Sequence, residues 1–155
     1  MKMYYFAYGS NLEIHQMKMR CKDSEPVTQA ELPGYRLIFR GVADIEEAPG
    51  ASVTGALYEI SLNDLRALDI YEGFPTLYTR KEVFVTIKNE YTGKEIKVPV
   101  MVYQMTPKYS GSTSGPNYSY ARTIEQGYRH WNLNLDKLYF ALTETYEENS
   151  IKIGI

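Results

Sequence analysis

Cysteine and histidine are scarce in this chain, and their scarcity excludes several kinds of chemistry. Cys21 is the only cysteine among 155 residues, so an internal disulfide cannot form, which fits a reducing compartment. The two histidines, His15 and His130, lack the i, i+4 or Cys-x-x-Cys spacing that a zinc site needs. We therefore expect no metal, and we interpret all three residues as structural or surface residues.

A large net charge and long apolar runs are also missing. The formal net charge is −2 at pH 7, which gives no electrostatic basis for binding nucleic acid or an anionic membrane surface. The longest apolar runs are far shorter than the roughly 20 residues that cross a bilayer. Lys2 precedes only about six apolar or aromatic residues, so the N-terminus lacks a signal-peptide pattern. We expect a cytoplasmic protein without nucleic-acid or membrane partners.

Several motifs of catalysis and cofactor binding are absent, whereas tyrosine is abundant. The chain has no Gly-x-Ser-x-Gly elbow, Walker loop or Rossmann glycine pattern. An activity without a metal, a nucleotide cofactor or a covalent intermediate is what remains. Tyrosine contributes 15 residues, against one tryptophan and five phenylalanines. These side chains can line a polar pocket, because each combines an apolar face with a hydroxyl, or they can be half-buried strand residues.

The apolar patterning predicts a single domain over residues 1–155 with an α+β fold. Alternating or continuous apolar residues predict strands at 3–8, 35–40, 52–60, 78–88 and 96–105. Helical spacing and cap residues predict helices at 12–20, 61–73, 118–130 and 133–142. Glycine, proline and serine mark loops at 41–50 and 108–117, and the tail 151–155 is either an edge strand or disordered. We expect a small, mixed, mostly antiparallel, barrel-like sheet with flanking helices.

The stretch 3–12 (MYYFAYGSNL) reads as a buried strand, a tight turn and the start of a helix. Gly9 permits the turn, and Ser10 and Glu13 have the spacing of a capping box. The turn would present free backbone N–H groups at the end of a strand, where they and the helix dipole favour a bound anion. An ordinary strand-to-helix turn is the alternative.

Glu72 is the carboxylate best placed for proton transfer. It lies at the predicted C-terminal end of a helix, where the dipole disfavours negative charge, and Tyr71 and Phe74 flank it. Dipole repulsion and desolvation both raise the pKa of a carboxyl group. A locally unfavourable charge suggests a functional residue, although a solvated Glu at a helix end is the alternative.

Residues 5–12 (YFAYGSNL) resemble the opening motif of the γ-glutamylcyclotransferase family, which includes the plant AIG2-like proteins. Further similar segments are 50–60 (GASVTGALYEI), Glu72-Gly73, Tyr78-x-Arg80-x-x-Val83, 102–105 (VYQM), 115–120 with Gly127, and 133–138. Together they cover most of residues 4–142. The chain departs from the family pattern at Asn117, where Ser is usual, and at Phe74-Pro75 after Glu-Gly, which leaves the substrate open.

The resemblance implies the fold of that family and an enzyme that cleaves a γ-glutamyl amide by intramolecular cyclisation, without a cofactor, to give 5-oxoproline and an amine. It implies Glu72 as the catalytic acid/base. The substrate-binding residues implied are Tyr5, Phe6, Ala7, Tyr8, Gly9, Ser10, Asn11 and Tyr103.

Three questions stay open at this stage. The substrate could instead be a γ-glutamylamine or a γ-glutamyl-protected biosynthetic intermediate, because the loops that select the leaving group are not fixed by the sequence. A non-catalytic module that binds a small anion is the alternative from another class. A homodimer is compatible with the tyrosine-rich composition and with the resemblance.

Overall fold

A computed structural model describes residues 2–152 of the chain. The strands in this part are β1 (Lys2–Ala7), β2 (Glu25–Phe39), β3 (Ala43–Ser61), β4 (Tyr78–Lys88) and β5 (Glu95–Met105). The α-helices are α1 (Ile14–Arg20), α2 (Leu62–Glu72), α3 (Tyr118–His130) and α4 (Leu135–Lys152). Single 3₁₀ turns lie at Ser10–Leu12 and Pro107–Tyr109.

The five strands close into a barrel in the order β1-β3-β2-β4-β5. The β1–β5 pair is parallel, with Tyr5 opposite Met101, and every other neighbouring pair is antiparallel. The predicted α+β fold with a mostly antiparallel, barrel-like sheet is therefore confirmed. Residues of the barrel and of the flanking helices share one hydrophobic core.

The β2–β3 ribbon is much longer than the sequence predicts. The prediction places a strand at 35–40 and a loop at 41–50, but β2 begins at Glu25 and β3 begins at Ala43. The Pro33-Gly34 signal marks a bulge, because the pairing with β3 shifts register between Pro33 and Tyr35. A bulge lets a strand bend and absorb turn residues without ending.

The N-terminus of α1 also differs from the prediction. Gly9, not Ser10, precedes the 3₁₀ turn, and it makes no side-chain cap. The carboxylate of Glu13 caps α1 instead, accepting the backbone N–H groups of His15 and Gln16. Ser10 forms no capping box because it lies inside the 3₁₀ turn and α1 is capped by Glu13. Its hydroxyl is hydrogen bonded to that of Tyr71 instead, with 2.9 Å between the oxygens.

Both ends of α2 are as predicted. Ser61 and Asp64 form a reciprocal capping box, with backbone-to-side-chain distances of 3.0 and 3.1 Å. Gly73 ends the helix in the left-handed region, with φ of 70°, which only glycine adopts freely. Glu72 is therefore the last residue of α2. It lines the same cavity as residues of β1.

Helix α3 has the predicted bounds, whereas α4 extends further than the predicted helix 133–142. Residues 151–152 continue α4, so they form neither an edge strand nor a disordered tail. The rest of that predicted tail, residues 153–155, lies outside the described residues. Within residues 2–152, the helices are too short or too polar for any of them to cross a membrane.

Candidate active site

A cavity of about 270 Å³ lies where β1 leaves the barrel. Its walls come from β1 and the following turn, the β2–β3 connection, the end of α2, strands β4 and β5, and the start of α3. The lining residues are Tyr5, Phe6, Tyr8, Gly9, Ser10, Asn11, Val42, Ala43, Tyr71, Glu72, Leu77, Tyr78, Tyr103 and Tyr120.

The structure brings the predicted site residues together in this cavity, with one exception. Tyr5, Phe6 and Tyr8 from β1 and its end, the turn 9–11, Glu72 and Tyr103 all line it. Ala7 does not line it: its side chain is fully buried, and it pairs with Ala56 of β3. Opposite this stretch, β3 approaches β1 so closely that a Cβ at Gly55 would overlap the Ala7 carbonyl oxygen.

The turn that follows β1 is anchored from behind by tertiary contacts. The indole N–H of Trp131 donates to the Leu12 carbonyl at 2.9 Å, and the Tyr58 hydroxyl donates to the Asn11 carbonyl at 2.8 Å. Helix α3 packs directly on the turn, because a Cβ at Gly127 would stand only 2.5 Å from the Leu12 Cβ. The turn is thereby held in one position at the edge of the cavity.

Backbone N–H groups of this turn are left without intrahelical partners. The 3₁₀ bonds run from the Leu12 and Glu13 N–H groups to the Gly9 and Ser10 carbonyls, at 3.0 and 3.1 Å. The first N–H groups of such a turn, those of Gly9, Ser10 and Asn11, have no acceptor inside it. All three residues line the cavity, so an anionic or carbonyl oxygen bound there would find donors.

Glu72 presents its carboxyl group to the same cavity. Burial raises its pKa from 4.5 to about 7, because a low-dielectric site disfavours the charged form, while the nearby Arg20 guanidinium opposes the rise. The direction agrees with the sequence prediction. A carboxyl group with this pKa exchanges a proton readily near neutral pH.

Arg20 contacts two residues of the cavity wall, and it was not predicted from the sequence. Its guanidinium donates to the Asn11 side-chain oxygen and lies over the Tyr71 ring, 3.4 Å from the ring centroid. The Asn11 amide nitrogen in turn donates to the Tyr5 hydroxyl at 2.9 Å. Arg20 therefore connects the turn after β1 with the end of α2. In the sequence it is a basic residue in the last turn of a helix, where such a charge is common.

Tyrosine hydroxyls supply most of the polar groups of the cavity walls. The Tyr8 hydroxyl donates to the Tyr103 carbonyl at 2.7 Å, and the Tyr103 hydroxyl donates to Asp69 at 2.6 Å. Burial is the main reason that the pKa values of Tyr5, Tyr8 and Tyr103 lie above the ordinary value. These side chains are therefore neutral and act as hydrogen-bonding groups rather than as bases.

Tyr71, Tyr78 and Tyr120 complete the wall and were not predicted as site residues. The Tyr78 hydroxyl donates to the Ala43 carbonyl at 2.6 Å, and the Ala43 N–H donates to the Tyr120 hydroxyl at 3.0 Å. Tyr78 and Tyr120 had a sequence signal, since each lies in a segment that resembles the family pattern. Tyr71 was noted only as a neighbour of Glu72, because nothing else local distinguishes it from other helix tyrosines.

The two histidines, which the sequence treats as isolated, meet in the folded chain. His15 Nδ1 lies 2.9 Å from the Glu13 Oε1 atom, and His130 Nδ1 lies 3.5 Å from the same oxygen. These three residues are not part of the cavity wall.

Comparisons with known proteins agree on one family. The family model described as gamma-glutamyl cyclotransferase, AIG2-like, matches residues 5–131. Gamma-glutamylcyclotransferases of Bos taurus and Homo sapiens are 32% and 31% identical to the chain over 127 residues. These matches cover 74% of this chain and 64% of each relative, so the chain spans less than two thirds of the relatives' length.

A solved structure gives the same result. A gamma-glutamyl cyclotransferase superposes on this chain with a TM-score of 0.76 at 26% identity, covering 88% of this chain and 83% of that one. The chain belongs to the gamma-glutamyl cyclotransferase, AIG2-like family.

Proposed function

We propose that this protein is a γ-glutamylcyclotransferase-type enzyme that converts a γ-glutamyl amide into 5-oxoproline and an amine. The observation that carries the proposal is a single carboxyl group, Glu72, with a pKa raised to about 7 inside a cavity that is walled by tyrosines. Membership of the family supports the same reaction.

In this reaction the substrate supplies its own nucleophile. The α-amino nitrogen attacks the γ-carbonyl carbon, a ring C–N bond forms, and the amide C–N bond breaks. Since both reacting atoms belong to one molecule, the enzyme needs only to fold the substrate and to move protons, and it needs no cofactor.

Glu72 is proposed to carry those protons. The attacking nitrogen loses two protons on its way from ammonium to lactam N–H, and the leaving amine gains two on its way to ammonium. A carboxylate that accepts one proton at a time from the first nitrogen and returns it to the second balances the reaction. The raised pKa of about 7 suits both halves of this exchange.

The turn after β1 is proposed to hold the oxygens of the substrate. The N–H groups of Gly9 and Ser10 can bind either the α-carboxylate or the oxyanion that develops on the γ-carbonyl. Tyr5 is proposed to donate to the substrate, since its oxygen accepts from Asn11 and its own hydrogen stays available. Phe6 and the Tyr103 ring serve as walls, and Ala7 supports the turn through its backbone.

The test is release of 5-oxoproline from γ-glutamyl dipeptides, γ-glutamyl-ε-lysine and glutathione. Glu72→Gln keeps the size of the side chain and removes the proton carrier, so release should fall by about 100-fold or more. Glu90→Gln, the same change in the exposed loop between β4 and β5, is the matched control and should leave release unchanged.

The pattern of release decides between the alternatives. Preferred release from the lysine derivative would assign a γ-glutamylamine substrate. Release that survives Glu72→Gln would refute the role of this residue. No release from any compound, with 5-oxoproline failing to bind at residues 9–10, would refute the assignment of the cavity. Tight binding without turnover would indicate an anion-binding module.

A cytoplasmic location and a homodimer belong to the same proposal. The single cysteine is a free, buried thiol, which suits a reducing compartment. Exposed aromatic side chains such as Tyr118 and Phe140 offer apolar area for self-association. Fractionation of cells and sedimentation of the purified protein test these two points.

A further inference from the structure

Glu13, His15 and His130 form a cluster of metal-ligand atoms outside the cavity. Glu13 and His15 stand at the N-terminus of α1, and His130 is the last residue of α3. One ligand atom from each of the three lies within 4.8 Å of the other two. The cluster is a carboxylate oxygen and two imidazole nitrogens that converge from two helices.

Core packing, rather than a chance surface encounter, brings these two helix ends together. Gly127 of α3 packs against Leu12, and the Trp131 indole donates to the Leu12 carbonyl. Leu12, the residue before the cap of α1, is thereby fixed to the end of α3. The side chain of Glu13, the cap itself, is only 8% exposed.

Electron-rich atoms face one another in the cluster. The Glu13 Oε1 atom lies 2.9 Å from His15 Nδ1 and 3.5 Å from His130 Nδ1, so one carboxylate oxygen faces two imidazole nitrogens. The Ile14 N–H also donates to His130 Nδ1, at 3.3 Å, so a metal ion would take the lone pair of that nitrogen in place of this hydrogen bond. A cation is the group that such a set of lone pairs accommodates.

We propose that Glu13, His15 and His130 bind a divalent transition-metal ion with the preferences of Zn²⁺, which joins the start of α1 to the end of α3. Two imidazoles and one carboxylate with water in the fourth position are a typical zinc ligand set, whereas Mg²⁺ and Ca²⁺ prefer oxygen ligands.

The distances are close to those of a tetrahedral site. Zinc bonds of roughly 2.0–2.2 Å place neighbouring ligand atoms about 3.3–3.5 Å apart. The observed separations from Glu13 Oε1 are 2.9 and 3.5 Å, and a ligand atom of each imidazole lies within 4.8 Å of the other. His15 is 83% exposed, which gives the ion a path from solvent and leaves the ring free to exchange its hydrogen bond with Glu13 for a bond to the ion.

The metal would hold the start of α1 against the end of α3, outside the cavity, and would take no part in the reaction. Glu13 follows the turn 9–12 directly in sequence, but none of the three residues lines the cavity. The inference therefore stands or fails independently of the proposed cyclisation.

Zinc binding to the untagged protein, measured by titration calorimetry and by equilibrium dialysis, tests the proposal. The chain is suited to this experiment because it has only two histidines, and its single thiol is buried with a pKa raised to about 12. We expect one Zn²⁺ per chain. Loss of one ligand should weaken binding by about tenfold or more.

Two variants and one control separate the ligands from the fold. His130→Asn keeps an acceptor for the Ile14 N–H but is a poor zinc ligand, and His15→Ala removes an exposed side chain. Gln16→Ala, an exposed neighbour on α1, should bind like the parent. Zn²⁺ should raise the melting temperature of the parent and of Gln16→Ala only, and Mg²⁺ should raise neither.

Three results would overturn the proposal. Zinc that fails to bind at millimolar concentration, or that binds equally well to both histidine variants, excludes this site. An equal effect of Mg²⁺ excludes the ligand chemistry. If NMR shows that only a proton bridges His130 and Glu13 while Zn²⁺ does not displace it, the cluster is an ion pair and the proposal fails.

Discussion

The raised pKa of Glu72 predicts a stability effect that requires no knowledge of the substrate. A carboxyl group whose pKa is higher in the folded state binds its proton more tightly there than in the unfolded chain. Its contribution to stability is fully present below the unfolded pKa of 4.5 and is lost as the pH rises through about 7. The native protein is therefore destabilised at alkaline pH by this one group.

The size of the effect follows from the shift. One pKa unit corresponds to about 1.4 kcal/mol, so between pH 5 and pH 8 this group should lower the free energy of unfolding by about 2 to 3 kcal/mol. Glu72→Gln removes the titration but keeps the shape. The variant should lose less stability than the parent over this range, and the difference should equal the stated amount.

Urea unfolding of both proteins at pH 5 and pH 8 measures how much more stability the parent loses than Glu72→Gln. Other titrating groups are common to both proteins and cancel, and Glu90→Gln should behave like the parent because its carboxyl is exposed. Equal pH dependence of the parent and Glu72→Gln would show that the carboxyl is not desolvated. The reasoning that makes it a base near neutral pH would then be wrong.

Two further predictions concern Arg20 and Gly55. Arg20→Gln removes the cation that opposes the rise in the pKa of Glu72, so the acidic limb of the kcat/KM profile should move up by about one pH unit; an unmoved limb contradicts this electrostatic role. Gly55→Ala should cost about 3 kcal/mol or more in urea unfolding, because the added Cβ would stand 2.7 Å from the Phe6 ring. Gly111→Ala, with open space around the same addition, is its control, and equal losses would contradict the argument.

Elements with local signals were predictable from the sequence. Helix α2 has a capping box at Ser61 and a glycine at its end, and the β4–β5 hairpin has alternating apolar residues on both strands, so these agree with the prediction. The β2–β3 ribbon was missed because Pro33-Gly34 is a strong turn signal in isolation. Pairing across the barrel overrides it, and tertiary pairing is not visible in a local pattern.

The residues of the site also differ in whether a local sequence signal marks them. The turn after β1 and Glu72 could be proposed from sequence, because a motif and a helix end mark them. Arg20 could not, since its proximity to Glu72 depends on how α1, α2 and the barrel pack. Tyr71 was visible only as the neighbour of Glu72, and Tyr78 only as part of a segment that resembles the family pattern. The meeting of His15 with His130 is likewise a product of packing between distant segments, which spacing rules do not cover.

The position of β1 in the barrel has a consequence for the order of folding. Tyr5 pairs with Tyr58 of β3 on one side and with Met101 of β5 on the other. The β2–β3 and β4–β5 hairpins can each form from neighbouring residues. Strand β1 cannot make both of its pairings until both hairpins have formed. Of the five strands of this barrel, β1 is synthesised first and docks late, and with it the turn at residues 9–11. The cavity cannot assemble before Tyr120 has been synthesised, so a nascent chain that ends short of α3 carries the motif without the site.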